Sequence, residues 1–578
     1  MLNRLRNDNT SDGVVGSTEK SLVDALTGAL AGCHNASIQP CSAYFDLEMN
    51  VSGLLSHGWS PPRWPRLSAA IATAAVTALA ATACGTGGAK SSGGQVSDQF
   101  TFGFPASPPS LNPGIGDPSY SAFYQWAYDP LVVMKPDGTF GPGLAVKWGY
   151  SGKGNRVYEL TLREGLKFSD GTALDAQAVK TYLDYARGQK IGSPAQLLVS
   201  VSEVEVTGPL TVRLNLRKSD PNLTFAFAQA FGGGDIASPK AVADPATLDK
   251  GTAGAGPYML QASQTVVGDH YTFVPNPHYW DKSRQRWKSV TIRVIPNPSS
   301  MIQAMRAGQV QAALGDPTTL QAARGAGLTV SAPPQALTGL NLVDRAGELA
   351  KPLGDVRVRQ ALNHAVDRAA IAKALYGDQK LTISQYALPG QAAYDPSLNS
   401  AYAYDPGRAK QLLAQAGYPD GFTLPVLDTS LSGMDKMMQA VAGQLAKVGV
   451  KLQITTKAVA NDYFVAMQSG KFPAAAIGYG LANMASLYVG FVNPQGPFNP
   501  LHTVDPKLEA LYGQYFAAGE QDGAAIQKQI NAYLVDQAWS LPVVGAPLSY
   551  YLVKGLTGLD ATTANAGVPW LTELRPAG

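Results

Sequence analysis

From Phe100 onward the apolar positions switch repeatedly between a period of two and a period near 3.6, in short segments punctuated by Gly, Pro and Asp. Tyr158, Leu160 and Leu162 alternate with Glu159, Thr161 and Arg163, the pattern of a half-buried strand. Val212, Leu214 and Leu216 repeat it against Arg213, Asn215 and Arg217, and Val290, Ile292 and Val294 form a third case. Between these, Asp170-Gly171 marks a turn, and Asp175 is placed to cap a helix whose buried face is Ala178, Val179, Tyr182, Leu183 and Ala186. The spacing predicts one further helix from Asp355, with Val358, Ala361, Leu362, Ala365, Val366 and Ala369 on one side and Gly377 as its stop. Asp405-Pro406 opens the next, with Ala409, Leu412, Leu413 and Ala416 as its stripe and Gly417 past its end. A helix around Met438, Val441 and Leu445 precedes a strand at Leu452 and Ile454. Strands and helices in this mixture predict an α/β (mixed α+β) fold with large sheets, not a helix bundle or a β-sandwich. No internal repeat is visible, and 236–300 resumes the strand-and-turn pattern of the earlier part, so lobes built from discontinuous stretches are expected.

The chain before Phe100 has a different pattern. Arg63 and Arg66 flank an uncharged run, Leu67–Ala83, that is rich in small residues and ends in Ala81-Thr82-Ala83-Cys84. Charge, a short apolar core and small residues at the cut make a secretory signal. A cysteine directly after them resembles a lipobox, with Ala81 where Leu is usual, so Cys84 is the expected lipidation site. A permanent membrane span wants about 20 strongly apolar residues, more than this Ala/Thr-diluted run supplies. Residues 1–48 are polar and without sustained period, and are read as a doubtful N-terminal extension. Met49 lies a normal distance ahead of the signal at 49–83. Residues 84–97, rich in Gly and Ser, form a flexible tether.

The chain beyond Cys84 exceeds the roughly 250–300 residues at which a single core stops growing, so at least two lobes are expected. A formal charge of +3 with no basic block argues against a nucleic-acid partner. Cys84 is the last cysteine, so the remainder holds no internal disulfide and no catalytic thiol. The six histidines include no His-Glu-x-x-His; His270 and His278, eight apart, are a weak metal clip at best. No Gly-x-Ser-x-Gly elbow and no phosphate-binding loop occur, and Gly254-Ala255-Gly256 runs into Pro257, which reads as a tight turn. Neither a catalytic centre nor a cofactor is expected.

Six ordered blocks carry a family resemblance. The first is Tyr128-Asp129-Pro130-Leu131-Val132 through Leu162-Arg163-Glu164-Gly165-Leu166-Lys167-Phe168-Ser169-Asp170-Gly171-Thr172. The others, in chain order, are Gly254-Ala255-Gly256-Pro257-Tyr258, Asn276-Pro277-His278-Tyr279-Trp280, Ala304-Met305-Arg306-Ala307-Gly308, Asp355 to Arg368, and Tyr404-Asp405-Pro406. Together they resemble the extracellular solute-binding proteins of family 5, which serve dipeptide and oligopeptide ABC importers. The resemblance implies a two-lobed periplasmic-binding-protein-like fold closing by a hinge on a ligand. Carried over, lobe one spans 98–340 with an extra subdomain at 139–235, lobe two spans 341–540, and 541–578 returns to lobe one. It also implies a monomer, lipid-anchored on the outer face of the bacterial membrane, with ABC permease subunits as partners and a small molecule as cargo. The blocks themselves read as scaffold: turns, caps and apolar stripes.

Peptide binders of this family place, after an aromatic-Gly pair, a carboxylate that pairs with the peptide ammonium. The corresponding stretch runs from Ala476 to Ser486, with Tyr479-Gly480 as the pair and no carboxylate before Asp505. Tyr479, Gly480, Asn483 and Ser486 are the candidate ligand contacts, Tyr479 together with Tyr488 or Trp126 is expected to stack on a sugar face, and Asp462 is the substitute acid. The stretch implies weak dependence on a terminal ammonium. Peptide is the default ligand, with an oligosaccharide or other neutral solute as the alternative and a secreted hydrolase or chaperone as the second.

Overall fold

The computed structural model describes residues 98–577 apart from 153, 481, 482 and 519. The signal, Cys84 and the tether lie outside the described residues. Among those described, no helix is long and apolar enough to cross a membrane.

Three sheets organise the molecule. The first has seven strands in the order Thr329–Ser331, Ser549–Leu552, Ala312–Gly315, Gln99–Phe104, Ser289–Val294, His270–Pro275, Tyr258–Leu260. Its central strand, Gln99–Phe104, runs parallel to both neighbours. The second has five, in the order Val450–Lys457, Phe422–Thr429, Ala474–Gly480, Pro334–Asn341, Ser540–Pro547, of which the first three are parallel. An antiparallel sheet of Ala145–Ser151, Val157–Leu162, Thr211–Leu216 and Val201–Gly208 is appended to the first lobe. Tyr158, Leu160 and Leu162 turn inward there, as their alternation requires, and Val179, Tyr182 and Leu183 of the helix Ala176–Arg187 join the same core.

The chain passes from the first sheet to the second at 332–333 and returns at 548, where the Leu548 N–H donates to the Pro333 carbonyl (3.1 Å). The boundaries expected at 340/341 and 540/541 fall at the opposite ends of the two crossing strands. Pro334–Asn341 and Ser540–Pro547 pair with each other, and an apolar strand carries no mark of which sheet it will join.

The helix expected from Asp355 to Gly377 is two helices, Val356–His364 and Arg368–Tyr376. Asp367 accepts the Ala370 N–H and starts the second. The buried Arg368 guanidinium donates to the Asn363 carbonyl (2.9 Å), an acceptor that the break leaves open, and to the remote carbonyls of Tyr402 (3.2 Å) and Pro542 (2.7 Å).

Three of the sequence blocks meet inside lobe one. Asp129 Oδ2 accepts from the Tyr279 hydroxyl (2.9 Å) and Trp280 Nε1 (3.2 Å), and the Arg163 guanidinium lies 4.0 Å over the Trp280 ring. The Ser169 N–H donates to the Gly254 carbonyl (2.8 Å), and Asn276 Nδ2 to that of Gly256 (2.9 Å). Gly254 and Gly256 do not serve a free turn. Ala127 and Tyr128 press so closely that a Cβ at either position would collide with their backbone or ring.

Candidate ligand-binding cleft

Open α/β sheets bind ligands beyond the carboxyl ends of their parallel strands. In lobe two that end carries the loop after Ala474–Gly480; in lobe one it carries 105–120, after Gln99–Phe104.

Tyr479 pairs with Leu337 in the sheet and sets its ring edge-on against Phe491 (4.9 Å) and Phe498 (5.2 Å). Its hydroxyl donates to the Ser486 carbonyl (2.8 Å), and burial pushes the phenol up to about 12. Asn483 caps the short helix Met484–Leu487, Oδ1 accepting the Ser486 N–H (2.9 Å). Ser486 Oγ reciprocates, accepting the Asn483 N–H (3.2 Å) and donating to the Asn483 carbonyl (2.8 Å). The neutral hydrogen bonds expected from Asn483 and Ser486 are therefore largely spent on their own loop. The Asn483 Nδ2 group and the open space over Gly480 remain for a ligand among the described residues.

Other expected contacts are not brought to this loop. Trp126 is 1% exposed and packs between Phe100 (5.8 Å) and Tyr258 (5.7 Å) in the lobe-one core, where no ligand can stack on it. Tyr488 lies against Tyr512 (4.8 Å) and Phe516 (5.2 Å) with its hydroxyl on Glu509 (3.0 Å), so it builds the helix contact below the loop. Asp462 is exposed in the first turn of Ala460–Gln468, and no hydrogen bond joins it to the Tyr479 loop among the described residues.

The helix under the loop, Pro506–Ala517, reaches lobe one. Asn155 Nδ2 donates to the carbonyls of Phe516 (3.2 Å) and Ala518 (2.7 Å), and the Ser219 hydroxyl donates to that of Phe516. Two side chains from the loops that flank strands of the appended sheet thus satisfy the open carboxyl end of a lobe-two helix.

Sequence reasoning missed a carboxylate in lobe one. Asp235 is 4% exposed and its carboxylate has no hydrogen-bond partner among the described residues; burial first, and the charge of Asp129 second, hold it up at about 8. Gly233 and Gly234 bring this turn against the carbonyls of Ala226 and Phe227, leaving no room for a Cβ. A signal was present: Asp235 is the only charged side chain between Asp220 and Lys240. No cluster of three metal-ligating side chains occurs among the described residues.

Two lobes joined by a pair of strand crossings, with loops from the carboxyl ends of parallel strands, define the class of hinged solute-binding proteins. The chain belongs to the bacterial extracellular solute-binding proteins, family 5, whose model matches residues 139–492. That is a family of binding proteins, not of enzymes. Among similar sequences is the glutathione-binding protein GsiB of Salmonella paratyphi A, 30% identical over 349 residues, 58% of this chain and 64% of the relative. The chain thus spans under two thirds of that protein's length. Heme-binding protein A of Haemophilus influenzae is 29% identical over 475 residues, covering 75% of this chain and 84% of its own. The fold is shared with HbpA2 of Haemophilus parasuis (TM-score 0.72, 22% identity, 83% of this chain and 100% of that one). It is shared also with DppA of Helicobacter pylori in complex with a peptide (TM-score 0.63, 20% identity, 83% and 98%).

Proposed function

We propose that this chain is an extracytoplasmic solute-binding lipoprotein that captures peptides of dipeptide to oligopeptide length and delivers them to the permease of an ABC importer. The observation that carries the reading is the pair of crossings at 332–333 and 548, tied by the Leu548–Pro333 hydrogen bond. Such a joint lets two lobes rock while each sheet stays intact, and a ligand touching both lobes stabilises the closed form by contacts made only there. Peptide is the favoured cargo because one relative is named for glutathione, itself a tripeptide, and a structural neighbour was solved with a peptide. Cys84, lipidated, holds the protein at the membrane; one acyl chain binds only marginally, so the anchor carries more than one.

Mass spectrometry of the small molecule that co-purifies from native cells tests the cargo. A peptide, recovered unchanged and accompanied by a smaller radius of gyration in scattering, is expected. A neutral oligosaccharide would replace the ligand class, and cleaved product in excess over protein would replace the function. Cys84→Ser is expected to release the protein into the medium; retention in the membrane fraction overturns the anchor.

A further inference from the structure

Lobe one contains a pocket of about 10 Å³, roughly the room of one water molecule, at the loops that come after its central strand. Asp235 and Asp117 line it, with Ser121, Tyr124, Phe231 and Pro113 among its walls. Asp117 is exposed at the rim, one carboxylate oxygen accepting the Ser119 N–H (2.8 Å). Asp235 is buried and unpartnered. Gln229 and Tyr124 do not serve it: the Gln229 amide is bonded through both its oxygen and its nitrogen to Met134, and the Tyr124 hydroxyl donates to the Ser110 carbonyl (2.9 Å).

We propose that this pocket receives a primary ammonium group of the transported solute, with Asp235 as its counter-charge and Asp117 as the acid at the entrance. The proposal rests on the solute-binding reading and deepens it by naming the chemical group that the first lobe would take.

Three physical arguments support it. A buried carboxyl stays neutral because ionising it there is costly, and an incoming cation offsets that cost, whereas a neutral or anionic group does not. The pocket admits an ammonium head and excludes anything bulkier, so the rest of the ligand must stay outside. The groups acting on Asp235 are acids and phenols: Asp129 raises its pKa, and Asp235 in turn raises those of Tyr124, Tyr128 and Tyr182, while no Lys or Arg acts on it. Burial holds the Asp235 carboxyl protonated at neutral pH, so binding an ammonium displaces that proton to solvent, and the ion pair replaces an O–H bond.

The test uses the full chain and two probes. Methylammonium chloride, against equal potassium chloride and tetramethylammonium chloride, is titrated while thermal stability is read. In parallel, a mixed di- and tripeptide library and its N-acetylated counterpart are offered, and retained peptides are identified by mass spectrometry. Stabilisation specific to methylammonium and lost in Asp235→Asn is expected, with free-amine peptides retained about ten- to a hundredfold over acetylated ones in the wild type only. Asp235→Asn replaces an already neutral carboxyl with a neutral amide of the same shape, so folding survives; Asp117→Asn at the exposed rim gives a smaller loss in the same direction. Equal response to potassium, or an unchanged response in Asp235→Asn, overturns the pocket. Equal retention of both libraries overturns its role in ligand selection. Retention of neither library, with the methylammonium response intact, keeps the cation pocket and removes peptides as the cargo.

Discussion

In lobe two, Tyr479, Asn483 and Ser486 bond their polar groups to one another's backbone, whereas in lobe one the Asp235 carboxylate lies buried with no hydrogen-bond partner among the described residues. The first arrangement is locally complete and gains little from a ligand; the second is locally costly and gains much. A polar residue's availability is thus decided by what its own backbone demands before any ligand arrives. Asn483 and Ser486 stand where a helix N-terminus needs acceptors, and the need is met first. Asp235 stands in a turn stacked on carbonyls, which can donate nothing to it.

The largest effect that bears on this contrast belongs to the core beneath lobe one. Trp126→Ala is expected to cost about 3–5 kcal/mol in urea unfolding, as for other buried tryptophans. A cost below about 1 kcal/mol together with lost ligand affinity would return Trp126 to the ligand wall.

Next comes pH. The folded Asp235 keeps its proton up to about 8, while the unfolded chain releases it in the ordinary carboxylate range, so in that window the folded state binds more protons. Stability therefore falls as pH rises across the window, by at most about 1.4 kcal/mol per pH unit for this group. Asp129, held at about 6, adds to the lower part of the same slope. Asp235→Asn should flatten the upper part in denaturation measured at several pH values. Superimposable profiles for the two proteins would contradict a buried neutral acid.

The capping loop gives a smaller effect. Asn483→Ala should lose about 1 kcal/mol, and Asn483→Ser, which keeps an N-cap oxygen, should restore most of it. If Asn483→Ser restores stability but not ligand affinity, the Nδ2 group touches the ligand and the lobe-two wall is less self-contained than its bonding indicates. The smallest effect is expected at the contact between lobes. Asn155→Ala removes two hydrogen bonds to the carboxyl end of Pro506–Ala517, but the half-buried Phe516 and Ala518 can turn their carbonyls to water, so the net loss is expected to be about 0.5 kcal/mol. Scattering should then show a larger radius of gyration at equal ligand concentration; an unchanged radius would mean that this contact does not bias closure.

Much of the framework was legible in the residues because it depends on neighbours two to four positions away. The alternation at Tyr158–Leu162, the Asp175 cap on Ala176–Arg187 and the Asp405 cap on Pro406–Gln415 all stand where the pattern put them. The candidate site was legible only as a location. Tyr479 and its loop could be found, but not that their polar groups were already engaged, nor that Trp126 was sealed between Phe100 and Tyr258.

By itself, then, the sequence determined which faces are buried, where most helices start and stop, and the family, since periodicity, capping and ordered motif blocks are written along the chain. Only the tertiary structure decided the break before Arg368, the crossings at 332–333 and 548, and the isolation of Asp235. Each of these is set by groups remote in sequence. Arg368 finds the carbonyls of Tyr402 and Pro542, Pro333 meets Leu548, and Asp235 is buried beside a Gln229 amide and a Tyr124 hydroxyl that are bonded to Met134 and Ser110. Contacts of that kind depend on how the sheets pack, and no local pattern of residues encodes them.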